Sequence, residues 1–554
     1  MQKIGNFGAK ALFFLLPFMG LLFTRLKFDS DFWFILNSGK FVAENGFPYT
    51  EPFTMHEGLN FVLEQWATDI IYWEIFHYFG AEGVIAFVII IGFFIIFIYE
   101  KICLFLSDNV ALSKILTLFF GVLIASPFLV TRPQIFSALI FLAEVFLLLK
   151  YAKTNENKYL FLIPIFSLLM INLHAALWPM IFVLMLPFTA TFFARILTKL
   201  DKEYLGEKFD IMPIVFTATI SFFVGFLNPY GFNAMAFLFT SYDPAVHGII
   251  SEVQPMTLKF DFSSLFFVYS LFFFVFLFSG VVLISRKKTP LYLILLFAGL
   301  GFLAMLAIRN VFLFYSLGTF VFAYNLRNYE FKLAKLNWTF LHLLPFIVID
   351  LFVIYQIIQK DSIFPLPAIH IIYLIFLFVS LTVFAVCYGK NDGLKRIKWL
   401  LVLLLPYVLI ASMNFQNRTS EKDYIGEKYK ECIDVLLGEN DAKDLIFFTG
   451  FNTGAYAEYR GIKCYMDARP EIFAPKNSGK DFSIIGEYID VINGKIYYRD
   501  FVEKYNFNYM LVEEGDGVLF AMLPHDKDFV LLHEEKDDAG KVYARLYKVN
   551  INIK

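Results

Sequence analysis

Two aspartates separated by one residue are the first feature of this chain that could do chemistry. Asp29 and Asp31 lie in Phe28-Asp-Ser-Asp-Phe-Trp33, directly after an apolar stretch. Carboxylates at positions i and i+2 can share a divalent cation, and one of them can act as a general base. The segment also fits an interfacial turn anchored by Trp33. The pair alone leaves both interpretations open.

Two arginines lie in apolar surroundings. Arg132 begins Arg-Pro-Gln at the junction of two apolar stretches, and Arg309 lies in Ala-Ile-Arg-Asn. An arginine in such a place needs an anion, and phosphate fits its planar fork best. A structural pair with a carboxylate, or a side chain that reaches towards water, would explain the same residues.

Four further polar residues are weaker candidates. His174 ends Ile-Asn-Leu-His between two apolar stretches, where it is either a packed, hydrogen-bonded residue or a ligand. Glu252 follows Ser251 in a polar segment. Asp467 and Arg469 flank an alanine near the C-terminus. The charges of Glu252, Asp467 and Arg469 also fit a solvated loop or an ion pair at the end of a strand.

The composition indicates that a bilayer surrounds most of the chain. Of its 554 residues, 58% are hydrophobic and only 17% are charged, and the mean hydropathy is +0.63. So much apolar surface does not fit one aqueous core, whereas membrane helices would bury it in lipid. The net charge of −2 is not informative about nucleic acid, but the chain has no concentrated basic patch and no nucleic-acid-binding signature, which argues against that class of function.

Apolar stretches of roughly 20 residues are long enough to cross the hydrocarbon core as helices. They predict a polytopic α-helical membrane protein with about thirteen spans. The first lacks a small-residue cleavage site and is therefore expected to stay uncleaved. The predicted spans are 9–26, 81–106, 111–130, 133–151, 159–173, 175–197, 211–228, 264–285, 290–308, 310–326, 339–359, 366–388 and 396–414.

The distribution of lysine and arginine predicts the orientation. With the N-terminus in the cytoplasm, the inner loops hold most of the basic residues between spans, as the positive-inside rule requires. The segment after residue 414 then lies outside. Charged groups near a bilayer are costly and therefore suggest function. In this orientation six of them share the outer side: Asp29, Asp31, Arg132, His174, Glu252 and Arg309.

Three polar regions accompany the spans. The first outer loop, 27–80, contains Phe61–Phe79, whose apolar periodicity predicts an amphipathic helix at the membrane surface and which carries Glu64. A second large outer loop covers 228–261. Residues 415–554 are predicted to form a soluble α/β domain outside the membrane, after a membrane domain at 1–414. Its expected strands are Leu445–Thr449, Lys463–Asp467, Tyr509–Glu513, Phe529–His533 and Val542–Val549, and its expected helices are Glu421–Leu437, Ser483–Ile492 and Arg499–Tyr505.

The four cysteines carry little information. Cys103 and Cys387 lie in apolar runs, which indicates packing in the membrane domain. Cys432 and Cys464 could pair if their domain faces an oxidising compartment, although their spacing is not a metal-binding signature.

The order of several short motifs resembles bacterial integral-membrane glycosyltransferases of the GT-C type. The motifs cover most of the chain and are Asp29-Ser-Asp31-Phe-Trp33, Ser38-Gly39-Lys40, Asn45-Gly46-Phe-Pro48, Glu51-Pro52-Phe53, Thr131-Arg132-Pro133-Gln134, Asn172-Leu-His174, Leu227-Asn228-Pro229-Tyr230-Gly231, Ser251-Glu252, Arg309, Gly454-Ala-Tyr456 and Asp467-Ala-Arg469. Two positions depart from the family's pattern, because Gln65 replaces a glutamate and Glu51 replaces an aspartate. A fainter similarity to the catalytic subunit of oligosaccharyltransferase places Asp31 and Glu252 at acidic positions of that family.

These resemblances imply a GT-C-like fold and sugar transfer from a polyprenyl-phosphate-linked donor to a cell-envelope acceptor on the outer face, with inversion. They imply Asp31, with Asp29, as the catalytic carboxylates, and Arg132, Arg309 and His174 as the site of the donor phosphate. Glu252, Glu64, Tyr456, Asp467 and Arg469 would support the acceptor or a metal. A divalent cation (Mg²⁺ or Mn²⁺) between Asp31 and Glu252 is one option.

Two other functions stay open. A transporter or flippase of a lipid-linked or anionic solute would also use intramembrane arginines, although the chain shows no inverted repeats. A non-catalytic envelope-assembly protein would tolerate the changes at Gln65 and Glu51. The expected location is the bacterial inner membrane, where the chain would contact lipid. The sequence leaves the sugar, the acceptor and the oligomeric state undetermined.

Overall fold

The structure is a computed structural model that describes residues 15, 17–18, 21, 28, 30–241, 250–257, 265–328, 429–475, 482–537 and 540–551. Four predicted spans fall wholly or almost wholly outside these residues: 9–26, 339–359, 366–388 and 396–414. Asp29 and Cys387 also lie outside them.

The first part of the described chain is helical. Ten helices are labelled here in chain order: α1 Ser30–Asn45, α2 Trp66–Ser107, α3 Val110–Phe128, α4 Gln134–Thr154, α5 Ile163–Leu173, α6 Met180–Leu197, α7 Met212–Val224, α8 Leu265–Arg286, α9 Leu291–Leu306 and α10 Phe320–Asn325. Shorter helices connect them at Lys202–Leu205, Phe232–Met235, Phe237–Thr240 and Val311–Leu313, the last continuing into a π-helical turn, Phe314–Gly318.

These helices match the predicted spans that the structure describes. Within the described residues, three apolar helical stretches are long enough to cross a membrane: Trp66–Ser107, Gln134–Thr154 and Ala175–Leu197. Shorter apolar helical stretches follow at Met212–Val224, Ser270–Arg286 and Leu291–Leu306. Hydropathy therefore located these elements to within a few residues, because long apolar runs are stable only where lipid or other helices surround them.

The helix predicted at Phe61–Phe79 is present, but it starts at Trp66 instead of Phe61 and ends at a kink at Gly80. Residues 61–65 form a loop, and beyond the kink helix α2 continues into the following span. One face of its first turns is covered by protein, since Asp69 and Tyr72 are fully buried. Helix α1 packs on them so closely that a Cβ atom on Gly39 would lie 2.1 Å from the carbonyl oxygen of Asp69.

The C-terminal part contains a four-stranded sheet. The strands are β1 Phe447–Thr449, β2 Tyr509–Glu513, β3 Phe529–Lys536 and β4 Val542–Val549, in the order β1-β2-β4-β3. Strands β1 and β2 are parallel and the other pairs are antiparallel. The accompanying helices are α11 Lys430–Glu439, α12 Gly454–Tyr459, α13 Ile484–Ile492, α14 Tyr498–Tyr505 and α15 Val518–Met522.

The predicted strand at Lys463–Asp467 was wrong. Only isolated bridges form there, from Cys464 to Phe447 of β1 and to Thr54 of the first outer loop. The amide of Met55 also donates to the carbonyl oxygen of Cys464 at 2.9 Å. This segment therefore connects the C-terminal sheet to the loop that precedes α2, instead of extending the sheet.

Helix α12 contacts helix α1 directly. The ring of Tyr456 lies edge-on to Trp33, with centroids 4.9 Å apart, and Tyr459 contacts the same tryptophan. Cys432 and Cys464 are buried as free thiols, so the disulfide considered from the sequence does not form. Aromatic packing and backbone hydrogen bonds hold the two regions together.

Candidate functional site

A cavity of about 340 Å³ lies where α1, the start of α4, the break between α5 and α6, and the C-terminal region meet. Seven of its lining residues are titratable: Asp31, Glu64, Arg132, His174, Arg309, Arg469 and Glu471. They come from six separate stretches of the sequence. Charged groups near a bilayer are expensive unless they are paired or functional, so this gathering marks the candidate site.

Asp31, Arg132 and Glu252 form one chain of charges. A terminal nitrogen of Arg132 lies 2.9 Å from a carboxylate oxygen of Asp31, and the other lies 3.7 Å from Glu252. Asp31 lies in the first turn of α1, where the helix dipole favours negative charge. Arg132 precedes α4 in the tight connection from α3.

The same arrangement bears on the divalent cation considered between Asp31 and Glu252. The guanidinium of Arg132 already lies between these carboxylates, so a metal bridging them would have to displace a positive charge. Among the described residues only these two carboxylates are available there, so water or a substrate phosphate would have to complete the shell of Mg²⁺ or Mn²⁺. In the part of the chain that the structure describes, Arg132 thus occupies the position that a metal bridging Asp31 and Glu252 would need.

Glu252 and Arg309 reach the same edge of the cavity through backbone hydrogen bonds. The amide of Met256 donates to the carbonyl oxygen of Met305 at 3.0 Å. The amide of Ile308 donates to the carbonyl oxygen of Gln254 at the same distance. These bonds fasten the short Ser251–Val253 turn to the end of α9.

Arg309 is exposed to the cavity. Among the described residues, its side chain makes no hydrogen bond or ion pair, in contrast to Arg132. It lies close enough to Glu64, Glu471 and His174 to act on them electrostatically. A cation of this kind, on the wall of a partly closed cavity, is suited to an external anion.

Glu64 is fastened to the break between α5 and α6. One carboxylate oxygen accepts a hydrogen bond from the amide of Ala176 at 3.0 Å, and its carbonyl oxygen accepts one from Ala175 at 2.9 Å. Burial raises the pKa of Glu64 to about 7, while the bond from Ala176 and the charge of Arg309 act in the opposite direction. Glu64 can therefore gain or lose a proton near neutral pH.

Glu471 was not singled out from the sequence. It lies two residues after Arg469 and lines the cavity. Burial raises its pKa to about 6, and the nearby arginines limit the rise. Its only sequence signal is its position in Asp467-Ala-Arg-Pro-Glu471, which does not reveal that the C-terminal region reaches the membrane-domain cavity.

His174 is a neutral, packed residue of the cavity wall. Its Nδ1 lies 2.7 Å from the hydroxyl of Ser137, and its side chain is almost fully buried. Burial, with a contribution from the charge of Arg309, lowers its pKa to about 3. It therefore adds no positive charge for a phosphate near neutral pH, but its ring can still take part in hydrogen bonding.

Arg469 joins the C-terminal region to the first outer loop. It forms ion pairs with Glu51 at 3.0 Å, with Glu458 at 3.4 Å and with Asp467 at shorter range, and all four side chains are buried. Its guanidinium also lies 4.5 Å from the ring centre of Phe34. Burial, together with the neighbouring carboxylates, raises the pKa of Glu458 well above its usual range, while the charge of Arg469 acts in the opposite direction.

This cluster explains one departure from the family pattern. Glu51 accepts hydrogen bonds from the amides of Phe53 and Thr54 at 3.0 and 2.7 Å while pairing with Arg469. Its carboxylate is thus used in a turn and a buried ion pair.

Tyr456 and Asp467 are not among the residues that line the cavity. They contact Trp33 and Arg469 instead.

Gln65, the second departure, also has a packing role. Its amide donates to Asp69 at 3.0 Å, and the indole of the next residue, Trp66, donates to Asn172 at 3.0 Å.

The structure brings most of the predicted site residues to one region: Asp31, Glu64, Arg132, His174, Glu252, Arg309 and Arg469. Asp29 lies outside the described residues.

Comparison with known proteins shows what this architecture resembles. The sequence matches no protein-family model and no curated protein. The structure of ArnT from Cupriavidus metallidurans in the apo state is similar with a TM-score of 0.53 and 9% identity, over 97% of this chain and 96% of that one. The same enzyme bound to undecaprenyl phosphate gives a TM-score of 0.51 and 10% identity, over 98% and 97% of the two chains.

A second neighbour is the oligosaccharyltransferase of Archaeoglobus fulgidus in its apo form. Its TM-score is 0.54 at 11% identity, over 97% of this chain and 74% of the oligosaccharyltransferase. At such low identities the likeness concerns the fold. The chain accordingly has a GT-C-like membrane fold that resembles ArnT and, in part of its length, oligosaccharyltransferase.

Proposed function

We propose that this protein transfers a sugar from a polyprenyl-phosphate-linked donor to a cell-envelope acceptor. The observation that carries the proposal is the cavity in which Arg309, a cation without a protein partner among the described residues, faces the carboxylates of Asp31 and Glu64. A phosphate-binding charge and proton acceptors in one cavity are the two requirements of such a transfer. The GT-C-like fold supports this choice.

The donor phosphate would bind at Arg309. Arg132 lies on the same cavity wall but is held by Asp31 and Glu252, so it would orient the acidic groups and add positive potential. The polyprenyl chain would lie in lipid beside the apolar helices. The neighbouring structure that contains undecaprenyl phosphate supports this class of carrier.

The reaction would be a single displacement with inversion. An acceptor hydroxyl oxygen attacks the anomeric carbon, and the bond from that carbon to the phosphate oxygen breaks. The polyprenyl phosphate leaves with one more negative charge, which Arg309 stabilises. The hydroxyl proton passes to a cavity carboxylate, for which Asp31 is our choice. The step requires no metal between Asp31 and Glu252.

The C-terminal region would help to bind the acceptor. Arg469 and Glu471 line the cavity, Asp467 pairs with Arg469, and Tyr456 packs on Trp33 of α1. In this proposal a membrane domain at 1–414 is followed by an extracytoplasmic domain at 415–554. The site would face the outside of the bacterial inner membrane.

The test uses the full chain in proteoliposomes with lipid-linked sugars extracted from cell membranes. Asp31→Asn should lower the transfer rate by about 10²- to 10⁴-fold, the usual contribution of a general base. Arg309→Ala should lower it by about 10²- to 10³-fold and weaken the binding of undecaprenyl phosphate, whereas Asp31→Asn should leave that binding largely intact.

Asp500→Asn is the matched control, since Asp500 is an exposed carboxylate in α14. It should leave both quantities unchanged. If Asp31→Asn and Arg309→Ala proteins are folded and still form product at the normal rate, these residues do not form the reaction centre. Movement of lipid-linked sugar across the bilayer without transfer would instead identify a flippase.

A further inference from the structure

A second cavity, of about 860 Å³, lies at the other end of the membrane helices. It is lined by the C-terminal ends of α2, α4, α8 and α10 and by the start of α9. Helix α4 begins at the candidate site with Gln134 and reaches this cavity with Lys153. Its 21 residues span about 30 Å, which is the thickness of a bilayer core. The two cavities therefore lie at opposite ends of a helix that is long enough to cross a membrane.

The second cavity has an excess of positive charge. Six cationic side chains line it, and only three carboxylates, Asp108, Glu203 and Glu207, oppose them. The cations are Lys153, Lys202, Arg286, Lys287, Lys288 and Arg327. The cavity thus carries a formal charge of about +3 before solvent and ions screen it.

Several of these cations are available to a ligand. Lys288 is paired with Asp201 and Glu203 at 3.1 and 3.0 Å. By contrast, the exposed side chains of Lys202, Arg286 and Lys287 make no ion pair or hydrogen bond among the described residues. Their positive charge is therefore not neutralised within the part of the protein that is described.

A buried amide gives an independent indication of a ligand. Asn325 lines the cavity but is only 6% exposed. Its Oδ1 accepts a hydrogen bond from the hydroxyl of Thr289 at 2.9 Å, whereas its Nδ2 has no partner among the described residues. A buried N–H group without a partner costs free energy, and a phosphate oxygen would satisfy it.

The remaining wall is apolar and aromatic. Phe105, Leu106, Leu149, Ala152, Tyr292 and Tyr324 lie beside the basic groups. A ligand that fits both surfaces has an anionic head and a hydrocarbon part. Basic pockets between membrane helices commonly bind the head groups of anionic lipids.

We propose that this cavity binds the phosphate head group of an anionic phospholipid, at a site separate from the proposed transfer reaction. The phosphate would contact Arg286, Lys287 and the amide of Asn325, and an acyl chain would lie along the aromatic wall. Free inorganic phosphate carries the same anionic group as the lipid head group. The test therefore has to distinguish these two ligands.

The test measures lipid bound to the purified full chain by native mass spectrometry, with phosphatidylglycerol and phosphatidylcholine as probes. The wild-type protein should retain phosphatidylglycerol in preference to phosphatidylcholine. The double variant Arg286→Gln/Lys287→Gln should weaken phosphatidylglycerol binding by about tenfold or more. Each basic group near an anionic lipid contributes appreciably to the binding free energy. Asn325→Leu should weaken it without any change in charge.

The matched control is Lys199→Gln/Lys208→Gln, which removes two exposed charges outside the cavity. It should retain the lipid preference. If the control variant loses the lipid preference to the same extent, the effect is due to general surface charge and the proposed binding site is wrong. Equal binding of both lipids, or competition by inorganic phosphate as strong as that by phosphatidylglycerol, would exclude a lipid head group as the ligand.

Discussion

At the scale of single residues, the two cavity arginines differ in their surroundings and therefore in what they can bind. Arg132 contacts Asp31 and Glu252, so much of its charge is already used within the protein. Arg309 faces the same space and makes no such pair among the described residues. A phosphate would therefore bind more favourably at Arg309 than at Arg132, since it would not have to displace a carboxylate from Arg309.

The protonation of Glu64 should control how well the first cavity accepts an anion. Its pKa is raised to about 7, so it is mostly neutral at pH 6 and mostly charged at pH 8. The charged form would repel a phosphodiester held at Arg309. We expect the affinity for dihexadecyl phosphate, whose own charge is constant over this range, to fall several-fold between pH 6 and pH 8.

Two variants separate this effect from other titrations. Glu64→Gln should give an affinity that is nearly constant through pH 7. Glu471→Gln should keep the pH dependence but move it to lower pH, because the charge of Glu471 helps to raise the pKa of Glu64. Fluorescence or calorimetric titration of the protein in detergent provides the affinities. A pH dependence that persists in Glu64→Gln would show that another group controls the binding of the anion.

Sequence reasoning found most of the cavity residues because charged groups in apolar surroundings are conspicuous. Arg309 and Arg132 were identified in this way. Glu471 was missed, since its role depends on how the C-terminal region docks on the first outer loop. The pairing of Glu51 with Arg469, which are 418 positions apart, could not be predicted either. Such contacts arise from tertiary packing and leave no local pattern.

At the scale of elements, the membrane helices were the easiest part to predict. A run of apolar residues has one stable arrangement in lipid, so α4 and α9 lie close to the predicted limits. The segment 463–467 was harder, because its short apolar run fits a strand. Its bridges to Thr54 and Phe447 show that it joins two regions. Short apolar runs do not reveal which neighbour they will meet.

The contact between α1 and α2 can be tested at Gly39. A Cβ atom there would lie 2.1 Å from the carbonyl oxygen of Asp69 and 2.8 Å from Cβ of Trp73. Gly39→Ala must therefore separate the two helices, at a cost of about 1–3 kcal/mol. Because Asp31 lies on α1, we also expect the proposed transfer activity to fall. Thermal unfolding and transfer assays of the full chain measure the two effects.

Gly299→Ala provides the control for this change. Gly299 lies in α9, and a Cβ atom there meets nothing within 4 Å. Alanine also favours a helix over glycine by about 0.5–1 kcal/mol. This variant should be as stable as the wild type or more so. If Gly39→Ala unfolds no earlier than Gly299→Ala, the close packing of α1 on α2 is not present in solution.

At the scale of the whole molecule, the helices separate two chemical surfaces. The first cavity combines carboxylates and arginines and is partly closed by the C-terminal region. The second is basic and is lined by the opposite helix ends. Basic residues favour the cytoplasmic side of a membrane. This asymmetry supports an orientation in which the first cavity and the C-terminal region face outward.

Cysteine labelling with a membrane-impermeant maleimide can test this orientation in intact cells. In a variant without the four native cysteines, Glu57→Cys and Lys463→Cys should be labelled, since both residues are exposed in the two segments that meet at Thr54 and Cys464. Glu156→Cys follows the end of α4 and should react only after the membrane is disrupted. The opposite labelling pattern would place the first cavity in the cytoplasm, where an outer-face acceptor could not reach it. Labelling of Glu57→Cys without Lys463→Cys would contradict the docking of the C-terminal region on the first outer loop, because Thr54 and Cys464 pair there.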